Sequence, residues 1–404
     1  MDQGKTLISG QLQIGDAELP TFGKEDVLAR IDAAYKLAGL RRILYCPSRN
    51  ADIDAAVLRH CRKRNIEIYL WYKILNDNAL LPEEDEQIVD AFDNTGPGET
   101  GAWKPAFDSN EMHFLACPAN RNYNRLVLNR CRQLLKEYDG LFIDSLGFSL
   151  PSLGLETLFT CFCPSCLERE PQLEQWRQRI RELRERVVSA DDEEAERWGT
   201  LAGLAREFGL DGFFDHRLRL ITELAAEYAG LAHELGKGFG IDVVSPALSR
   251  LAGHDLKKLS AMADWIKPRV YCHTFGPSSI PLEYYCLAIG AKSWAKRVEI
   301  PTLMEFIGRS IDLEMPANMH SLNQSYLSPA AAGREIEKAV AAAGEDRVFP
   351  GIECCLHPDY ETGLNEETIA DYLEAAKNAP GIVLSWNLLF IPDVFLKMVG
   401  KAFH

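Results

Sequence analysis

The chain has 404 residues, with 59 acidic side chains against 44 Lys and Arg, a net charge of −15, 47% hydrophobic residues and 25% charged ones. That balance suits a large buried core, and an acidic surface repels phosphate, which makes nucleic acid and anionic lipid poor partners. No stretch approaches the roughly 20 apolar residues that span a bilayer. Met1-Asp2-Gln3-Gly4-Lys5 lacks the basic-then-apolar opening of an export signal, so the cytoplasm is the expected location.

In chain order, short apolar runs rich in β-branched and aromatic residues occur at Thr6–Ser9, Arg42–Cys46, Glu67–Ile74, Leu141–Phe148, Phe239–Ser245, Trp265–His273, Val348–Cys355 and Ile382–Phe390. They are continuous rather than alternating, as strands covered on both faces are. Helical spacing fills the gaps: Val27, Ile31, Tyr35 and Ala38; Val127, Cys131, Leu134 and Tyr138; and Ile369, Tyr372, Leu373 and Ala376 behind an Asn365 cap. Eight strands alternating with helices predict an α/β fold, a single (β/α)8 TIM barrel over residues 1–404. No glycine-rich fingerprint follows the first strand, which removes the main support for a dinucleotide-binding sheet.

Two long βα insertions are expected. One, residues 76–113 after the third strand, holds ten acids against the single base Lys104, a charge of −9. As a lid over the pocket it would favour neutral or cationic glycosides over anionic sugars. The other, residues 149–235 after the fourth strand, holds a cysteine cluster and long helices. One of these helices carries the apolar stripe Leu173, Trp176, Ile180, Leu183 and Val187.

In a barrel of this kind the C-terminal strand ends form the pocket. The fourth, fifth and seventh runs bring Asp144, Asp242 and Glu353 there, each an acid inside an apolar run, where an ionised group is costly unless paired or facing a cavity. A structural ion pair or helix cap is the ordinary alternative. Asp144 and Glu353 are the candidate catalytic pair: two facing carboxylic acids suit glycosidic cleavage, one protonating the departing oxygen, the other attacking the anomeric carbon or activating water. Asp242, Tyr271, His273, Trp386, Asn387, Arg49, Tyr72 and Lys73 are candidate substrate contacts, the aromatic ones also plausible as core residues with a satisfied polar tip.

The 11 cysteines are odd in number, against a disulfide framework. Three of them, in Cys161-Phe162-Cys163-Pro164-Ser165-Cys166, are spaced to converge on one metal. Tetrahedral Zn2+ wants a fourth ligand, and Cys117 is the best candidate; four thiolates close the coordination sphere, so the site reads as structural. Three buried thiols on a turn are the plain alternative.

A carboxylate on the fourth strand, a long loop with Cys-x-Cys-x-x-Cys and one upstream cysteine together resemble the zinc-bearing barrel of family 42 β-galactosidases and their clan-A glycoside hydrolase relatives. The resemblance implies an acid/base at Asp144, a nucleophile at Glu353 and zinc on Cys117, Cys161, Cys163 and Cys166. Two departures stand out: Ile143-Asp144 occupies the place of the family's Asn-Glu pair, and its C-terminal domains have no counterpart. Reversed roles, with the fourth-strand Asp as nucleophile, occur in α-glycosidase barrels.

The leading expectation is therefore a glycoside hydrolase acting on a small oligosaccharide or glycoside, with structural Zn2+ and no organic cofactor, compatible with a homo-oligomer. A second is a metal-dependent sugar isomerase or epimerase using Asp144, Asp242, His273 and Glu353 around Mn2+ or Mg2+. Against it, none of the nine histidines forms a His-x-His or His-Glu-x-x-His pair. A third is a non-catalytic carbohydrate-binding barrel.

Overall fold

The computed structural model describes residues 6–15, 18–48, 50–76, 80, 82–95, 115–276, 278–313, 327, 329–358 and 360–404. Arg49 and most of the acidic segment 76–113 lie outside them. Eight parallel strands form the barrel: β1 (Leu7–Gln13), β2 (Arg42–Cys46), β3 (Glu67–Lys73), β4 (Gly140–Asp144), β5 (Gly238–Val243), β6 (Trp265–Pro268), β7 (Gly351–Glu353) and β8 (Gly381–Ser385). Neighbours pair in sequence order and β1 pairs β8. Parallel bridges Ile266–Val348 and Arg269–Gly351 join β6 to β7 and close the ring.

A helix follows each strand: α1 (Lys24–Leu37), α2 (Ala51–Lys63), α3 (Arg121–Leu134), α4 (Asp211–Glu234), α5 (Leu256–Met262), α6 (Pro329–Ala343), α7 (Glu366–Ala375) and α8 (Asp393–Phe403). This is the (β/α)8 TIM barrel. Among the described residues no helix is long and apolar enough to cross a membrane.

Side-chain alternation along each strand splits the barrel into two cores. Ile8, Leu12, Ile43, Ile68, Leu141 and Ile352 face the helices, meeting Val27 and Ile31 of α1 and Tyr372 of α7 among others. Leu44, Tyr69, Trp71, Phe142, Trp265, Phe349 and Val383 fill the interior as a separate cluster. Their bulk fits because glycines face them. A Cβ on Gly140 or Gly238 would lie 2.4 or 2.1 Å from the Tyr69 side chain, and one on Gly240 would lie 2.4 Å from Trp265. Burying each such aromatic stabilises the fold by roughly 1.5–3 kcal/mol.

The eight expected strands are all present, but several end early. The fourth stops at Asp144 instead of Phe148, the sixth at Pro268 instead of His273, and the eighth at Ser385 instead of Phe390. The apolar sequence continues because the loops at this end are themselves buried: Leu146, Phe148, Val270 and Leu388 are all under 5% exposed. The first strand runs further than Ser9, to Gln13, since its interior positions are the polar Ser9, Gln11 and Gln13.

Three long excursions, rather than two, leave the barrel. The third, between β6 and α6, carries helices Ile280–Trp294 and Ile300–Ile311, and was hidden by the apolar continuity of that region. Conversely, the last helix of residues 149–235 is α4 itself, packed against β4 and β5. The stripe Leu173, Trp176, Ile180, Leu183 and Val187 is buried along the helix Leu173–Ser189, as its spacing predicts.

Candidate active site and metal centre

The interior-facing positions that continue above the aromatic cluster form a charged layer at the barrel mouth. Alternation carries Phe142 to Asp144, Gly240 to Asp242, Trp265 to Lys267 and Arg269, and Phe349 to Gly351 and Glu353. Strand register sets Lys73 beside Asp144, Asp242 beside Lys267, and Glu353 beside Ser385.

Asp144 is 5% exposed. Trp71 donates its indole N–H to Oδ2 at 2.9 Å, while Arg269 and the Ser145 amide donate to Oδ1. Burial opposes its ionisation, but Arg269, Lys267 and Lys73 outweigh burial and hold the carboxyl below the usual range. Arg269 also donates to Asp242 at 3.1 Å, so one guanidinium ties two carboxylates. Lys267 lies 3.3 Å from Asp242 Oδ2 and donates to the Tyr271 hydroxyl at 2.8 Å. Burial pushes Asp242 up and Lys267 down, each towards its neutral form.

Glu353 is fully buried. Its Oε2 accepts from the Tyr372 hydroxyl at 2.7 Å and from the amides of His273 at 2.8 Å and Cys272 at 3.1 Å. Its Oε1 makes no hydrogen bond of ordinary geometry among the described residues, although the Thr274 hydroxyl and amide also act on the carboxyl. Burial raises its pKa, and the hydrogen bonds it accepts only partly offset that. Asp144 is thus driven towards its charged form, and Asp242 and Glu353 towards their neutral forms.

The remaining candidates divide. Tyr271 joins the mouth network, and its ring lies 5.9 Å from half-buried Trp386, which in turn meets Tyr360 at 5.3 Å. His273 is buried, with Nδ1 3.1 Å from the Tyr372 hydroxyl, and burial lowers its pKa to about 4. It is a neutral neighbour of Glu353. Asn387 is committed locally, donating to the Gln13 carbonyl at 2.9 Å and accepting from the Leu389 amide. Tyr72 is not brought to the mouth: it falls on the opposite parity from Trp71 and packs in the helix-facing core. Arg49 lies outside the described residues.

Lys267, Arg269, Trp71 and Tyr372 were not singled out in the sequence. The first two carry the signal used for the acids, a charge within an apolar run, and a search extended to bases finds both. Glu283 was hidden in the third excursion. Fully buried, it accepts from the Ser152 amide and hydroxyl at 2.9 Å each and from the Ser278 amide at 3.2 Å, and burial pushes it up to about 7.

The four cysteines converge from two excursions. The Sγ atoms of Cys117, Cys161, Cys163 and Cys166 all lie within 4.8 Å of one another, and all four residues are buried. Cys117 is 3.3 Å from both Cys163 and Cys166. Four sulfurs around a zinc ion would stand about 3.8 Å apart, given Zn–S bonds near 2.3 Å, so the donor set fits a tetrahedral thiophilic metal. The Val89 and Ala119 amides donate to Cys161 and Cys117 at 3.4 and 3.3 Å. Backbone bonds from Phe162 to Val89 at 2.8 Å and from Ala91 to Phe159 at 2.9 Å stitch the excursions together beside the cluster.

No family model matches the chain, and no curated protein matches it. Among solved structures it is similar to the spore cortex-lytic enzyme SleL of Bacillus megaterium, with TM-score 0.49 and 8% identity over 100% of this chain and 75% of that one. A chitinase from Chromobacterium violaceum gives TM-score 0.47 and 8% identity over 98% of each chain. Ega3 of Aspergillus fumigatus, solved in complex with galactosamine, gives TM-score 0.40 and 7% identity over 96% of this chain and 92% of that one.

Proposed function

We propose that this barrel is a glycoside hydrolase acting on a small oligosaccharide or glycoside, with Asp144 as the ionised carboxylate and Glu353 as the proton donor. The observation that carries the reading is the placement of two carboxyls on the interior-facing parity of β4 and β7, Asp144 against Arg269 and Trp71 and Glu353 buried among neutral donors. These surroundings favour the charged form of the first and the neutral form of the second. Arg269 and Trp71 hold Asp144 as an anion, fit either to attack the anomeric carbon or to activate water. Three donors fix Oε2 of Glu353, which leaves Oε1 to carry the proton for the departing oxygen. Half-buried Trp386, near Tyr271 and Tyr360, offers the flat apolar face on which a sugar ring stacks. The isomerase reading needs Asp144 and Asp242 as ligands to one divalent ion, and a guanidinium already bridges them.

At the four cysteines the same reading places structural Zn2+. When bound, the ion supplies a tetrahedral crosslink between the excursions after β3 and β4 and leaves no open position for substrate.

The test is hydrolysis of a panel of aryl glycosides and short oligosaccharides. Asp144→Asn and Glu353→Gln should each lose about 10²- to 10⁴-fold in kcat/KM. A good leaving group such as dinitrophenolate needs no proton, so it should restore activity to Glu353→Gln and not to Asp144→Asn. Full activity in either variant on a substrate that the wild type cleaves overturns the assignment.

A further inference from the structure

Arg217, on α4, is fully buried. Its Nη1 donates to the Leu158 carbonyl at 2.7 Å and its Nη2 to the Leu251 carbonyl at 2.9 Å, while its Nε has no partner among the described residues. The guanidinium lies over the rings of Phe148 at 4.2 Å, Phe213 at 5.6 Å and Phe214 at 5.9 Å. All of these neighbours are neutral. No carboxylate among the described residues pairs with it; Asp211 and Asp215, on the same helix, pair with Arg250 instead.

A buried, unpaired guanidinium costs several kcal/mol and persists only where something offsets the cost. Two carbonyls and three aromatic faces supply part of that. The rest points to the cysteine centre. Leu158, which Arg217 grips, lies three residues before Cys161, and Phe213 of the same helix stacks on Phe162 between Cys161 and Cys163 at 5.7 Å. A divalent ion with four thiolates carries a net charge of about −2, a buried anion that itself wants a counter-charge.

We infer that Arg217 is the counter-ion of the thiolate metal centre, a fixed buried cation that half-neutralises the metal–sulfur cluster from α4. The two features then explain one another: the arginine lacks an acid because the cluster is its acid. Arg217 touches no ligand position, so it acts through the field at the sulfurs and is a positioning residue for the metal. This inference is independent of the glycosidase reading.

The test uses the full-length protein, exchanged between metal-free and metal-loaded forms, with Co2+ as a spectroscopic probe and Zn2+ in chelator competition. Arg217→Met keeps length and apolar packing but removes the charge. It should weaken Zn2+ binding by about 10- to 100-fold, the range seen when outer partners of metal ligands are lost. Arg217→Lys keeps a cation and should stay closer to wild type. Metal-free Arg217→Met should be as stable as metal-free wild type or more so, because the thiols are then neutral and the arginine is an uncompensated charge. The crossed pattern, a weakened metal form beside an unharmed metal-free form, is what a purely structural arginine does not give. Equal destabilisation of both forms, or unchanged Zn2+ affinity in Arg217→Met, overturns the inference. So does failure of the wild type to give sulfur-to-Co2+ charge-transfer bands. If Arg217→Met does not fold, tighter binding by wild type than by Arg217→Lys supports the inference and equal binding overturns it.

Discussion

The barrel mouth and the cysteine centre are both buried and polar, yet they balance charge in opposite ways. At the mouth, Asp144 and Asp242 meet Arg269 and Lys267 within one interior layer, each strand supplying one side of a pair. In the cysteine centre four acidic sulfurs converge from two separate excursions. Of the cations nearby, Arg177, on the Phe162 carbonyl, is paired with Asp93 and Glu174, while Arg217 is paired with no carboxylate among the described residues and makes no hydrogen bond to any of the sulfurs. The first arrangement is complete within the chain. The second, in the proposed reading, is completed by an ion from outside. A buried site that neutralises itself is tuned by single substitutions, whereas one built for a guest depends on whether the guest is present.

The sharpest way to break this contrast is to unbalance the mouth. Lys267→Met leaves Asp242 buried with only Arg269 to share, and removing one partner of a buried pair costs about 3–5 kcal/mol. Replacing Asp242 with Leu as well removes the stranded charge, so the double variant should be more stable than Lys267→Met alone. Urea unfolding measures both. If the two costs simply add, the layer is not the self-contained pair network described here.

How far each region was visible in the sequence follows from the same contrast. The cysteine cluster was legible to its fourth member, because three closely spaced cysteines ask for a partner and Cys117 ends an apolar run that folds back onto them. The eight strands were legible too, since strands covered on both faces leave unbroken apolar runs. Their C-terminal ends were not: buried loops such as those at Leu146 and Val270 continue the same composition, and only backbone pairing marks where β4 and β6 stop. At the mouth the acids were found and the bases missed, although Lys267 and Arg269 sit in the same run as Tyr271. Tyr72 was misplaced by one residue of parity, which in a strand is the whole difference between pocket and outer core.

A second, smaller effect concerns Glu283, which links the excursions after β4 and β6 through Ser152 and Ser278. Burial raises its pKa to about 7, above the 4.5 of an unperturbed Glu, so the folded protein holds this proton more tightly than the unfolded chain. The native state then binds more protons than the unfolded one between the two values, and stability falls as pH rises through that window. The stabilisation is fully present below about pH 4.5 and gone above about pH 7, a loss of up to about 3 kcal/mol. Glu283→Gln should flatten that part of the stability–pH profile. An unchanged slope would mean the joint between these excursions stays charged, as Asp144 does.

The smallest effect lies beneath the mouth, where the charged layer rests on stacked aromatics. Gly240 faces the Trp265 indole, and an added Cβ would stand 2.4 Å from it. Trp265 has little room to yield: it stacks on Phe142 at 5.2 Å with an interplanar angle of 4° and leans on Phe349 at 5.2 Å. Gly240→Ala should therefore cost about 1–3 kcal/mol through overpacking. Gly230, inside α4, has nothing within 4 Å of its would-be Cβ, and Gly230→Ala should gain up to about 1 kcal/mol from helix propensity alone. The pair separates packing from chemistry. Phe142 stands two residues before Asp144 on the same strand face, so a floor that only fills space leaves the pH dependence of activity untouched in Gly240→Ala. A shifted acid limb in Gly240→Ala, with none in Gly230→Ala, would mean that the aromatic floor helps set where the Asp144 carboxylate stands beneath Arg269.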